Sequence, residues 1–151
     1  MHRQARVYVK TAFVQLLISV LVGALLLINA GLPFHPRIGL LLPVYYHLLM
    51  VGWATQLIGG VALWMFPVLS RDRPRGDERL GWIAYGALNG GLVLRAVAEP
   101  MHAIEPHTWS AWTLAVSAIL QVCAVWFLAI ALWPRVRRRP EMNRSRMGGG
   151  D

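Results

Sequence analysis

Long apolar stretches alternate with short polar segments along the chain, and this pattern predicts four helices. The apolar stretches cover residues 11–30, 43–69, 80–99 and 109–133. Each of them matches or exceeds the ~20 apolar residues that a helix needs to cross the hydrocarbon core of a bilayer. Because the connecting segments are short, consecutive helices are expected to be antiparallel neighbours. The chain is therefore predicted to be all-α, an integral membrane four-helix antiparallel bundle.

Proline and glycine mark the expected helix boundaries. Gly31 and Pro36 are typical of a turn-rich first loop, and Pro43 suits the first turn of the second helix. Pro100 predicts that the third helix stops near Glu99, because the residue before a proline is disfavoured in a helix.

The two ends of the chain are interpreted separately from the helices. Basic residues precede the first apolar stretch as in a signal peptide, but Ile28 is a poor match to the small residues of a cleavage site. We therefore expect the first stretch to be retained as a span. The membrane domain is assigned to residues 1–139, and the polar residues 140–151 are predicted to be a disordered tail.

Charge placement predicts how the bundle is oriented. The net charge is +8, and the basic residues collect before the first stretch, between the second and third, and after the fourth. The positive-inside rule then places both termini and the second loop in the cytoplasm. This distribution explains the excess charge without nucleic acid, so no nucleic-acid partner is expected. We interpret the protein as a multi-pass protein of a bacterial-type inner (plasma) membrane, with the lipid bilayer as its partner.

Six ionisable residues are candidates for a functional site near the outer face. An ionisable group on an apolar membrane helix is costly and is therefore a candidate for function, which singles out His47 in the second helix. Arg95 and Glu99 are four residues apart and can form an ion pair on one helical face, or the arginine can bind an external carboxylate. Imidazole and carboxylate side chains also suit zinc, copper or iron. The candidate metal ligands are His35, His47, Glu99, His102 and His107.

Glycines within the helices have two interpretations. Gly52, Gly59 and Gly60 in the second helix, and the small residues of range 86–91 in the third, favour close helix packing. The alternative is that they leave room for the flat face of a macrocycle, with Gly52 as a cofactor contact. A bundle of four helices has little internal space, so we also expect a homodimer that uses one of these glycine-rich faces.

One segment resembles a known family. Residues 45–53, Tyr-Tyr-His-Leu-Leu-Met-Val-Gly-Trp, and residues 59–67, Gly-Gly-Val-Ala-Leu-Trp-Met-Phe-Pro, are similar to the second helix of the catalytic subunit of heme-copper oxidases. The similarity is greatest to the nitric oxide reductase and cbb3-type branch and covers residues 34–75. In that family the histidine of this helix is an axial ligand of the low-spin heme, so the resemblance implies that His47 binds heme.

The chain also departs from this family. The family has many more helices and a later set of histidines for a second heme and copper, whereas no helix after the second carries a mid-membrane histidine here. We therefore expect a small stand-alone relative and not a complete oxygen or nitric oxide reductase.

Three hypotheses follow from the sequence. The leading one is a heme b protein with His47 as axial ligand and Arg95 near a heme propionate, acting in electron transfer or in binding nitric oxide or oxygen. The second axial ligand is left open among His35, His102, His107, His47 of a second copy, or none, and the redox partner is unknown. The alternatives are a zinc or copper site at the outer face, and a structural or assembly subunit without a cofactor.

Overall fold

The computed structural model of the protein describes residues 2–66 and 78–136. Four long helical spans are present in these ranges, each long and apolar enough to cross a membrane. The all-helical class and the four candidate membrane spans predicted from the sequence are therefore confirmed. The predicted second loop covers residues 70–79. Its residues 70–77 and the predicted tail over residues 140–151 lie outside the described residues, whereas Glu78 and Arg79 belong to the third span.

The first, third and fourth spans are single α-helices, whereas the second is composite. Helix α1 covers Arg3–Gly31. The second span begins with a 3₁₀ segment, Pro36–Leu41, and continues as α2 (Leu42–His47), a π-helical segment (Leu48–Thr55) and α3 (Gln56–Met65). The third and fourth spans are α4 (Glu78–Ile104) and α5 (Thr108–Leu132), and a short 3₁₀ turn, Trp133–Arg135, follows α5.

The spans pair as two antiparallel hairpins. In the first hairpin, Gly23 of α1 lies against Tyr45, and near the other end Gly60 lies against Tyr8. In the second hairpin, the Ser117 hydroxyl of α5 donates to the Gly91 carbonyl of α4 over 2.7 Å. These contacts leave α1 and α5 on opposite sides of the bundle.

Two small apolar clusters join the hairpins. Tyr8, Ala84 and Leu128 form one of them, and Val44, Leu48 and Leu92 form the other. Most other large apolar side chains point outward: Leu21 and Leu27 of α1 are 70% and 76% exposed. An apolar surface of this extent suits contact with lipid and not with water.

Charged and titratable residues are separated along the bundle axis. We call the end that carries Arg3, Arg6, Lys10, Arg79 and Arg135 the basic end, and the end that carries His35, His47, His102 and His107 the histidine end. Both ends of the described chain lie at the basic end. There the His2 Nε2 atom is 3.4 Å from Glu78 Oε1, and Arg135 Nη1 donates to the Leu63 carbonyl over 3.5 Å.

Several helix boundaries differ from the sequence prediction. The second span begins at Pro36 and not at residue 43, and α4 begins at Glu78 and not at residue 80. Helix α4 does not stop at Glu99 but passes through Pro100 and ends at Ile104. Proline removes one backbone donor, and the last turn of α4 is held in place by burial of Ala98 and by a hydrogen bond from His102 to α5. Helix α1 begins at Arg3, before its apolar stretch, and the His2 Nδ1 atom accepts the Gln4 N–H at its start.

Candidate functional site at the histidine end

His47 is the last residue of α2, and its ring is held by the backbone. The Nδ1–H donates to the Pro43 carbonyl one turn earlier over 2.8 Å. Because a carbonyl only accepts, this hydrogen bond fixes the tautomer and leaves the lone pair of Nε2 available. Tyr45 packs against α1. His47, two residues later, projects from the opposite side of α2.

A π-helical segment begins directly after His47. It covers Leu48–Thr55, and the Thr55 hydroxyl donates to the Met50 carbonyl five residues earlier over 2.9 Å. Side chains four residues apart lie close to one face of a helix. His47, Val51 and Thr55 therefore form a column along the second span.

The column borders a groove between the second span and α5. The groove has a volume of about 310 Å³ and is open on one side. Its walls are mostly apolar, and Thr55 and Gln121 contribute polar groups. The lining residues are Val51, Thr55, Gln121, Val122, Val125 and Trp126.

Arg95 and Glu99 form a partly buried ion pair on α4. The Arg95 Nη2 atom is 3.1 Å from Glu99 Oε1, and the side chains are only 23% and 16% exposed. Buried Arg95 Nε and Glu99 Oε2 have no hydrogen-bond partner among the described residues. The predicted ion pair is confirmed, and the guanidinium keeps donor capacity for a further acceptor.

His102 and His107 are tied to the start of α5 through Ser110. The Ser110 hydroxyl donates to the His107 carbonyl over 2.8 Å, so the His102 Nδ1–H donates to Ser110 Oγ over 2.8 Å. The His107 ring stacks on Trp109 at a centroid distance of 6.5 Å, and its Nε2 atom is 3.6 Å from Glu105 Oε2. Both histidines thus contribute to the α4–α5 connection.

His35 has a local role at the start of the second span. Its Nδ1 atom accepts the Arg37 N–H over 3.2 Å, which caps the 3₁₀ segment. The backbone N–H of His35 in turn donates to Asn29 Oδ1 over 3.1 Å.

The helix register separates His102 from His47. Leu48, next to His47, packs in one cluster with Leu92 of α4. His102 is ten residues further along α4, which corresponds to about 15 Å along the axis. An imidazole at that distance does not share one metal ion with His47 of the same chain. Across residues 2–66 and 78–136, no group of three or more His, Cys, Asp or Glu side chains is arranged to hold a metal ion.

Gly52 serves helix packing. A Cβ atom at this position would overlap Gln15 Oε1 of α1 and would lie 2.8 Å from Leu92 Cδ2 of α4. The close approach of three helices therefore accounts for this glycine, in agreement with the first of its two interpretations. The expectation that Gly52 contacts a cofactor has no support in this geometry.

Comparison of the chain with protein-family models, with curated proteins and with solved structures gives no match. The function is therefore inferred from the geometry of the site.

Some of this geometry was missed by the sequence reasoning. In the sequence alone, Thr55, Gln121 and Trp126 are not distinguished from the other residues of the apolar stretches. The spacing of four residues from His47 to Val51 to Thr55 was visible, but the π-helical segment that contains Val51 and Thr55 has no sequence signal that we used.

Proposed function

We propose that the protein binds heme b through His47 at the histidine end of the bundle. The observation that carries the proposal is the Nδ1–H hydrogen bond from His47 to the Pro43 carbonyl. Histidines that bind metals typically donate their other ring N–H to a carbonyl or carboxylate, which fixes the ring and makes the free nitrogen a better ligand. Heme iron takes an imidazole ligand of this kind.

The surroundings of His47 support a large, flat and mostly apolar ligand. The groove begins one turn after His47, is walled by valines and by Trp126, and is open on one side. Its volume of about 310 Å³ is at the lower end of the ~300–1,000 Å³ of small-molecule sites, and its open side allows a ligand to extend beyond it.

Arg95 is suited to hold a heme propionate. It lies three residues beyond Leu92, and Leu92 is clustered with Leu48 beside His47. Its Nε–H is buried without a partner, and a guanidinium binds a carboxylate through two parallel hydrogen bonds. Glu99 would hold the guanidinium in position through its existing contact with Nη2.

One chain would supply the heme iron with one histidine ligand, His47. The register argument removes His102, and His107 lies in the connection beyond it. His35 precedes His47 by the 3₁₀ segment and α2, which together extend roughly 20 Å along the axis.

A second ligand would be a gas such as nitric oxide or oxygen. His47 of a second copy would be excluded by the dimer proposed below, because Gly86 and Gly90 lie on the side of α4 away from Leu92 and His47. Bound heme supplies one-electron chemistry or gas binding, and the protein supplies the ligand, the propionate contact and exclusion of water.

We further propose a homodimer that associates through α4. Gly86 and Gly90 have open space where a side chain would be, and they are four residues apart on the same face. Small residues at this spacing allow two membrane helices to approach closely. Replacing both with leucine should shift cross-linked protein in native membranes from dimer to monomer. Unchanged cross-linking in that variant would contradict this interface.

The test is the visible spectrum of the purified protein, oxidised and reduced, with metal analysis. A Soret band and a reduced α-band are expected in the wild type. His47→Ala should lose the heme or change its spectrum while the protein still inserts, whereas His35→Ala should keep the wild-type spectrum. The latter is a matched control because His35 is at the same end of the bundle.

Three outcomes would overturn the proposal. The first is full heme occupancy with an unchanged spectrum in His47→Ala. The second is a colourless protein with stoichiometric zinc or copper, which would favour the metal hypothesis. The third is a protein that contains neither heme nor metal after expression with heme supplementation, which would favour a structural or assembly subunit.

A further inference from the structure

A row of polar contacts joins α1 to α4, on the side of the bundle away from the groove. The Gln4 amide donates to the Glu78 carbonyl over 3.1 Å, and the Tyr8 hydroxyl donates to the Gly81 carbonyl over 2.7 Å. One turn further, the hydroxyls of Thr11 and Tyr85 are 2.8 Å apart. We call this row, which ends at Gln15, the polar seam.

The contacts are spaced by one helical turn, so the polar seam runs from the basic end to the middle of the bundle. At its inner end the Gln15 Nε2 atom donates to Asn89 Oδ1 over 2.7 Å, and the Asn89 Nδ2 atom donates to the Tyr85 carbonyl over 2.9 Å. The Asn89 amide donates to a backbone carbonyl, which can only accept, and the Gln15 amide donates to Asn89 Oδ1. The orientations of both amides are therefore fixed. Gln15 Oε1 is the amide oxygen of this pair that accepts no hydrogen bond from the described residues.

Two buried oxygens at the inner end of the polar seam have no partner. Gln15 Oε1 and Gln56 Oε1 are both buried and accept no hydrogen bond from the described residues. Gln56 is completely buried, and its Nε2 atom donates to the Tyr8 carbonyl over 3.3 Å, which prevents its amide from being turned around. Gln15 is 8% exposed.

The two glutamines lie close to the same side of the second span. Gln15 Oε1 lies against Gly52, and Gln56 follows Gly52 by four residues, which places it on the same side of the second span. Both oxygens are acceptors, so the missing partner is a donor. An acceptor that is buried in a bilayer protein without a hydrogen bond is unfavourable, so a donor is expected beside these oxygens.

We propose that Gln15 and Gln56 form a binding site for one or two water molecules, reached along the polar seam from the basic end. A buried water typically makes about three hydrogen bonds to groups that are otherwise unsatisfied, and a single water can donate to two oxygens. Beyond Gln15 the path is closed, because Ser19 donates to its own helix at Leu16 and the apolar cluster of Val44, Leu48 and Leu92 follows.

The proposed site would place water in the middle of the bundle, at the inner end of the polar seam. Gly52 is part of this arrangement, because only a residue without a side chain leaves space for the Gln15 amide. The proposed water site lies on a different side of the bundle from the proposed heme site and does not depend on heme binding.

Water-edited solid-state NMR of the isotope-labelled protein in lipid bilayers tests the site. Magnetisation from water should reach the side-chain nitrogens of Gln15 and Gln56 several-fold faster than the methyl groups of Leu92, and at a rate close to that of Gln4 at the basic end. Transfer to both glutamines as slow as transfer to Leu92 would overturn the proposal.

Two variants test the access path and the acceptor. Thr11→Leu should slow the transfer to Gln15 several-fold, whereas Thr113→Leu on α5 should not change it. Gln56→Met should reduce the water signal at Gln15, because one of the two acceptors is removed. If Thr11→Leu folds with an intact helical spectrum and leaves the transfer unchanged, water does not enter along the polar seam.

Discussion

Two glycines of the membrane helices have opposite surroundings, and each makes a different demand on substitution. A Cβ atom at Gly52 would overlap the Gln15 amide, whereas a Cβ atom at Gly86 would meet nothing within 4 Å. The first glycine is required by helix packing, and the second is available for an interaction with another molecule.

Substitution by alanine should separate these two cases. We expect Gly52→Ala to destabilise the bundle by about 1–3 kcal/mol, because overfilling a packed interior forces neighbouring side chains to move. Gly86→Ala should leave stability unchanged or raise it by up to about 1 kcal/mol through helix propensity. Unfolding in mixed micelles by titration with SDS measures both, and equal losses would contradict the packing role of Gly52.

Arg95 and Glu99 form a pair whose two charges depend on each other. We expect Arg95→Leu to destabilise the protein by about 3 kcal/mol, because it leaves a carboxylate in a poorly hydrated position without its partner. Arg95→Leu combined with Glu99→Leu should recover most of that loss. A double variant as unstable as the single one would show that the pair does not account for the cost, and the heme content of both variants should fall if Arg95 binds a propionate.

At the scale of helices, Ser110 connects α4 to α5. Its hydroxyl oxygen accepts from His102 of α4 and from the His107 backbone, and its proton goes to the His107 carbonyl. The hydroxyl of Thr113, one turn later, donates only to the Trp109 carbonyl of its own helix. These two residues allow the connection between the helices to be tested separately from helix formation.

We expect Ser110→Ala to cost about 1–2 kcal/mol, because the half-buried His102 donor loses its partner. Thr113→Ala should change stability by less than about 0.5 kcal/mol, since its hydroxyl satisfies no group on another helix. Titration with SDS again provides the free energies of unfolding. A cost for Thr113→Ala equal to that for Ser110→Ala would contradict the account.

The composite second span shows how one element can hold the side chain of His47 in place. The Pro43 carbonyl accepts the His47 Nδ1–H, and the π-helical segment that contains Val51 and Thr55 follows directly after His47. The rare helix type thus lies beside the residue for which we propose a function, a common association for π-helical segments.

At the scale of the whole molecule, the basic residues at one end of the bundle predict how the protein is oriented in the membrane. Reporter fusions after Arg139 and within residues 70–79 should remain in the cytoplasm, because basic residues flank these positions. Fusions at Phe34 and Glu105, in the opposite loops, should be exported and serve as matched controls. Export of the first two fusions would reverse the orientation and place His47 near the cytoplasmic face.

The sequence by itself determined the four spans and the separation of charge. Both are properties of composition over about 20 residues, because the length of an apolar stretch decides whether it can cross a bilayer. The sequence also singled out His47, since an ionisable residue in an apolar helix is unusual wherever its neighbours lie.

Only the tertiary structure decided which helix faces meet. The spacing of Gly52 and Gly86 gave no way to distinguish a packed glycine from an open one, and Pro100 pointed to a helix end that contacts of Ala98 and His102 override. Likewise, Gln15 and Gln56 looked like any interhelical polar residues. Their unpaired oxygens became apparent only when α1, α4 and the second span were brought together, because hydrogen-bond partners distant in the chain are set by packing and not by local sequence.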